Sequence, residues 1–183
     1  MNKTKSIVLT ALFTALIAIG AFIKIPIPNV PITFQLFFVL LAGVLLGGAR
    51  GSLSALFYMI LGLVGVPIFT GGGGFGYIFK PTFGYIIGFC FGALVTGFIA
   101  HRRPNPSYKR LLAANFCGLA VIYVFGIIYY WLITKFYIGN SIGFYTLMLY
   151  CFLLPVPGDI ILCFFNALIG KRLIPVLKKQ LSN

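Results

Sequence analysis

Six long apolar stretches divide the chain, at about Ser6 to Ile25, Thr33 to Gly48, Gly51 to Val66, Phe83 to Ala100, Leu111 to Ile133 and Phe144 to Gly170. Between them lie a Pro-rich turn from Ile25 to Pro31, a tight link from Gly47 to Gly51, a Gly-rich loop at 67–82, a basic loop at 101–110 and a short link near Lys135 to Asn140. Proline and glycine mark most of the breaks, as they do where helices must stop. A spanning helix uses about 20 apolar residues, so six use about 120 and leave about 60 for connections. The pattern therefore predicts an all-α integral membrane protein, a single domain over residues 1–183 with six transmembrane helices. The sixth should be broken or kinked near Pro155–Gly158, because two prolines remove backbone donors and the glycine loosens what remains.

Composition makes the bilayer unavoidable. Only 8% of the residues are charged, about a third of the proportion that gives a soluble domain its surface. Fourteen Lys and Arg stand against one acid, Asp159, for a formal charge of +13. Such an excess invites a nucleic-acid reading, yet the cations sit in short clusters between apolar runs and form no single stripe. That distribution fixes membrane orientation instead. Lys3, Lys5, Arg50, Arg102, Arg103, Lys109, Arg110, Lys171, Arg172, Lys178 and Lys179 fall at one end of a six-span chain, against Lys24, Lys80 and Lys135 at the other. The rule puts both termini and the basic loop in the cytoplasm, with the Pro-rich turn and the Gly-rich loop outside.

Helices in lipid associate by close packing, so stripes of small residues matter. Gly84, Gly88 and Gly92, and Gly43 with Gly47, read as internal packing faces; Ala11, Ala15 and Ala18 form a stripe that either packs internally or docks a partner. The chain has one Asp, no Glu and one His (His101, at the edge of the basic loop). Two-carboxylate hydrolysis and a buried Ser-His-Asp relay are therefore out of reach, and no catalytic site is expected. The Gly71–Gly74 run lacks the Gly-Lys-Ser/Thr of a phosphate cradle. Cys90, Cys117, Cys151 and Cys163 lie in apolar runs without metal-ligand spacing, so they read as small buried side chains and no metal is expected. Nothing in the chain calls for a cofactor.

Asp159 carries the most information. It stands twelve residues before Lys171, about 18 Å along a helix and near mid-membrane, where an acid costs about 2.5 to 3.5 kcal/mol on insertion scales. Three roles are open: capping the second half of the last helix, pairing with a cation such as Lys80, or binding a ligand. The Gly-rich loop alternates flexible backbone with Phe69, Phe75, Tyr77 and Phe79, which suits a lid over a small, partly apolar molecule. Lys80 is its candidate for attracting a carboxylate. Gln35 and Asn115 read as interhelical hydrogen-bonding residues.

Specific strings then accumulate: VPITFQ (30–35), LLAG (40–43), ARG (49–51) with Ser54 and Tyr58 after it, GLVGVPIF (62–69), the glycine run, PTFGY (81–85) followed by Gly88-Phe89, and Pro157-Gly158-Asp159. In this order they resemble the BioY family, the biotin-specific substrate-binding (S) components of energy-coupling factor (ECF) transporters. The resemblance implies a six-helix subunit that captures biotin from outside, working with a membrane coupling (T) protein and a pair of cytoplasmic ATPases. It implies that Asp159 accepts from the ureido N–H groups of biotin, and the matched strings place Gln35, Tyr58, Gly73, Gly74 and Tyr85 with it around the substrate. Ala11 and Ala15 match the AxxxA stripe that docks on the coupling protein. Leu162, Phe83, Gly73 and Ile86 stand where members often carry Lys, Gly, Asn and Arg, so no partner for the biotin carboxylate is transferred, and Lys80 takes that role on chemistry alone.

Overall fold

A computed structural model of the chain describes residues 3–25, 30–139 and 143–182, the side chains of 178–182 excepted. Pro26, Pro28 and Asn29 of the Pro-rich turn, the side chains of Lys178 and Lys179, and Asn140 lie outside the described residues. The order is α1 (Lys3–Phe22), strands β1 (Lys24–Ile25) and β2 (Ile32–Thr33), α2 (Gln35–Leu46), α3 (Gly48–Val64), a 3-10 turn (Phe75–Phe79), α4 (Phe83–His101), α5 (Tyr108–Phe136), α6 (Phe144–Met148), a π-helical turn (Leu149–Leu153) and α7 (Val156–Ser182). The described residues form six helical rods, with α6, the π turn and α7 forming the last.

Among the described residues, four stretches are long and apolar enough to cross a membrane: α1, α4, α5 and the composite Phe144–Leu177. The second and third rods are shorter than the sequence pattern suggests. At 12 and 17 residues they rise about 18 and 26 Å, against a hydrocarbon core of about 30 Å. They meet at Gly47, whose φ of 87° supplies the corner, a conformation that side chains with a Cβ rarely adopt. The expected packing role for Gly47 therefore gives way to a turning role. Its predicted companion Gly43 does pack, since a Cβ there would meet the Ala93 carbonyl oxygen at 2.6 Å.

The glycines of α4 behave as close packing in lipid requires. A Cβ on Gly84 would lie 2.2 Å from Tyr129 Cβ, on Gly88 2.9 Å from the Ile122 carbonyl, and on Gly92 2.5 Å from Ile122 Cγ1. Gly97 is tighter still, with Gly48 N at 2.1 Å from the position of such an atom. Cross-bonds to backbone carbonyls lock the rods: Thr14 Oγ1 to Ser54 (3.0 Å), Thr96 Oγ1 to Ala114 (3.2 Å), Asn115 Nδ2 to Cys163 (3.1 Å) and Asn166 Nδ2 to Phe37 (2.7 Å). Both Asn side chains are fully buried. His101 does not simply hang in solvent, since its Nε2 lies 2.9 Å from the Val44 carbonyl. Of the four cysteines, Cys117 is exposed where a buried side chain was expected.

The break in the last rod lies slightly upstream of the expected Pro155–Gly158. The π turn covers 149–153, Leu154 N donates to Leu149 O at 3.0 Å, and Pro157 and Gly158 already belong to the first turn of α7. Proline at 155 cannot donate to the carbonyl of residue 151. That carbonyl is met from another helix, by Tyr85 Oη at 2.7 Å.

Gly97→Ala should lower the melting temperature of the detergent-purified chain, with a cost of about 1 to 3 kcal/mol for overpacking. Gly76→Ala, where no atom lies within 4 Å of the added carbon, should leave the melt unchanged.

Candidate functional site

Burial in this chain leaves one carboxylate facing a cavity. Asp159 sits in the first turn of α7, where the positive end of the helix dipole favours an anion. It is 8% exposed, and its Oδ2 accepts a hydrogen bond from Tyr123 Oη of α5 at 2.5 Å. Among the described residues the hydrogen bond to the Asp159 carboxylate comes from a phenol, not from a backbone donor or a lysine, and Lys80 Nζ donates instead to the Gly71 carbonyl at 2.9 Å. Tyr123 is held in turn by edge-to-face rings, Tyr85 at 5.9 Å and Phe152 at 5.4 Å, geometry that aromatic pairs favour.

The cavity is open at its mouth, and its empty space, solvent at the mouth included, is about 610 Å³. Asp159, Tyr123 and Tyr85 form one polar wall, and Leu36, Ile86, Phe89 and Ile122 supply an apolar lining. A second polar wall comes from α2, α3 and the outer loop. Thr33 Oγ1 donates to Gln35 Oε1 at 3.3 Å, Gln35 Nε2 donates to Tyr58 Oη at 2.7 Å, and Tyr58 Oη donates to the Ile68 carbonyl at 3.1 Å. Thr70 Oγ1 lies 3.0 Å from Tyr77 Oη, which lies 3.5 Å from Thr82 Oγ1. Val30, Pro31 and Ile32 of the β hairpin and Pro155 complete the enclosure.

The predicted residues thus divide. Asp159, Tyr85, Gln35 and Tyr58 all line the cavity, whereas Gly73, Gly74 and Lys80 do not. Gly74 N donates to the Gly62 carbonyl at 2.7 Å, and a Cβ on Gly73 would lie 2.3 Å from the Val66 carbonyl oxygen. These two glycines let the loop fold onto the end of α3. The loop is more ordered than a free lid: Phe69 and Gly72 exchange backbone hydrogen bonds, and Tyr129 Oη donates to the Ile78 carbonyl at 2.6 Å. Phe69 is 2% exposed against Tyr58 and Tyr77, while Phe75 is 73% exposed. Gln35 bonds between helices as expected and also lines the cavity. Tyr123 was missed, being one of ten tyrosines with no local motif to single it out. Its position 36 residues before Asp159 is ten helical turns in a straight rod, yet here it belongs to a different helix. Of the departures from the family strings, Leu162 packs with the Phe13–Phe37–Leu41 cluster and Phe83 against Tyr77 and Tyr129, both outside the cavity lining, while Ile86 lines it.

The family model for the BioY family matches residues 1–179. The chain belongs to the BioY family. The probable biotin transporter BioY of Lysinibacillus sphaericus is 43% identical over 97% of this chain and 90% of its own length. The biotin transporter BioY of Rhizobium etli is 37% identical over 94% of each chain. A crystal structure of the S-component for biotin from an ECF-type ABC transporter superposes with a TM-score of 0.82 at 28% identity, covering 94% of each chain. This BioY-family chain is accordingly an all-helical, multi-pass protein of the cell membrane.

Within this member of the family, the Gln35–Tyr58 pair joins α2 to α3 at the cavity wall. Tyr58→Phe should cost about 1 to 3 kcal/mol by stranding the Gln35 amide, read as a lower melting temperature. In a double-mutant cycle with Gln35→Leu, the combined loss should fall short of the sum by at least about 0.5 kcal/mol; additive losses would show that the two side chains act independently.

Proposed function

We propose that the chain is the biotin-binding S component of an ECF-type vitamin uptake transporter, a carrier subunit and not an enzyme. The observation that carries this reading is the carboxylate of Asp159, buried and oriented by Tyr123 at the wall of an open, largely apolar cavity. A carboxylate is acceptor-only and suits the two N–H donors of a ureido ring. The apolar and aromatic lining suits the thioether-bearing bicycle and its aliphatic tail. The two curated relatives are named biotin transporters and the solved structure is titled as a biotin S-component, which supports the choice of ligand.

We assign the supply of energy to partners, since the glycine run lacks the Gly-Lys-Ser/Thr of a phosphate cradle. We assign it a membrane coupling (T) protein and a pair of cytoplasmic ATPases, with both termini on the cytoplasmic side, in accord with the excess of cations at that end. Ala11 and Ala15 of α1 are exposed, beside Val8 and Leu12 on the same apolar helix. A face of small residues lets a partner helix approach closely in lipid, and we assign the coupling protein to it.

Asp159→Asn and Asp159→Ala should each weaken biotin binding to the purified chain at least tenfold, about 1.4 kcal/mol. Wild-type affinity in both variants, measured by titration, would remove Asp159 from the site. The double substitution Ala11→Trp with Ala15→Trp should leave biotin binding intact and abolish co-purification with the coupling protein and ATPases. Recovery of the whole assembly with both indoles present would exclude this docking face.

A further inference from the structure

Two cations from distant parts of the chain converge on adjacent carbonyls of the outer loop, next to the cavity residue Thr70. Lys24, on β1, donates from Nζ to the Thr70 carbonyl at 2.9 Å; Lys80, after the 3-10 turn, donates from Nζ to the Gly71 carbonyl at the same distance. The two acceptors belong to consecutive residues, so both ammonium groups sit on the same short stretch of the loop. Thr70 itself lines the cavity, and so does Thr33, the hairpin partner of Lys24. Both lysines are exposed, and Lys80 is further fixed by its ammonium lying 4.7 Å from the centre of the Tyr77 ring. That ring is tied by its hydroxyl to Thr70.

Charge makes this arrangement incomplete by itself. An ammonium carries three donors, and among the described residues each of these has one hydrogen bond, to a neutral carbonyl. The chain's single acid is Asp159, already bonded to Tyr123, so no side-chain carboxylate is left to neutralise the pair. An anionic group in the mouth would accept hydrogen bonds from both ammonium groups with donor and acceptor each ionised, and would offset the repulsion between them.

We propose that Lys24 and Lys80 together form the seat for the carboxylate of the bound ligand and set the preference of the site for an acid over its neutral analogue. This rests on the reading of the cavity as a biotin site, with the ureido end at Asp159 and the carboxylate end at the outer loop. Lys24 is the decisive member, because it reaches the loop from the hairpin and completes the pair only in the folded chain. A purely structural alternative exists, in which the lysines merely staple the hairpin and the 3-10 turn to the loop. It differs in a measurable way, since a staple serves charged and neutral ligands alike.

The test is equilibrium titration of the purified chain with biotin and with biotinamide, which replaces the carboxylate by a neutral amide. Wild type should bind biotin at least tenfold tighter than biotinamide. That ratio should fall towards one in the Lys24→Gln, Lys80→Gln double variant and to intermediate values in each single variant, while Lys24→Arg retains most of it. A wild-type ratio near one overturns the proposal. So does an undiminished ratio in the glutamine variants, including the case where both ligands weaken by the same factor, which would assign the lysines to loop anchoring. Either result leaves the Asp159 variants free to uphold the biotin site, whereas failure of the wild-type chain to bind biotin would remove both.

Discussion

The hydrogen bond from Tyr123 to Asp159 is the interaction on which the cavity depends. A lone carboxylate inside a chain of this hydropathy is costly unless donors meet it and a helix dipole favours it. Tyr123 supplies the donor at 2.5 Å and the first turn of α7 supplies the dipole. Both conditions require α7 to begin inside the bundle, where Asp159 is buried. The sequence Pro155-Val156-Pro157-Gly158 brings this about by denying the last rod a continuous set of backbone donors. The polar site and the helix break are thus two consequences of one short segment.

Breaking a helix inside the bundle frees backbone groups that must find partners. Here the carbonyl of Cys151 is met by Tyr85, whose ring also packs edge-to-face on Tyr123. One tyrosine therefore repairs the backbone and steadies the residue that holds the acid. The lower half of α7 is fixed separately, by Asn166 to α2 and by Asn115 of α5. With α7 anchored below and interrupted above, Asp159 is held in place while the upper wall remains built from loops and side chains.

The outer wall reaches its shape by a different route. Glycines at 73 and 74 bring the loop down onto the end of α3, Phe69 fills the space over Gly62, and Tyr77 enters the cavity lining while Phe75 stays outside. The glycine run thus acts through close approach of backbone to backbone, and the aromatic residues among it divide between the interior and the surface. Cross-links from Lys24, Lys80 and Tyr129 to loop carbonyls hold the result together.

Much of this was legible in the chain itself. Apolar runs, Pro and Gly breaks and the charge balance determined an all-α membrane domain of six rods, because lipid tolerates few other backbones and each requirement leaves a local mark in the sequence. Asp159 was legible because it is the only acid, and Gln35, Tyr58 and Tyr85 through the strings around them. What remained for the tertiary structure was everything set by contacts between distant segments. The pairing of Tyr123 with Asp159, the capture of the Cys151 carbonyl by Tyr85, the meeting of Lys24 and Lys80 and the displacement of Gly73 and Gly74 from the cavity are of this kind. Helical periodicity reports which residues share a face of one rod; it carries no record of which rod that face meets, and the packing of glycine against neighbouring backbone settles that choice.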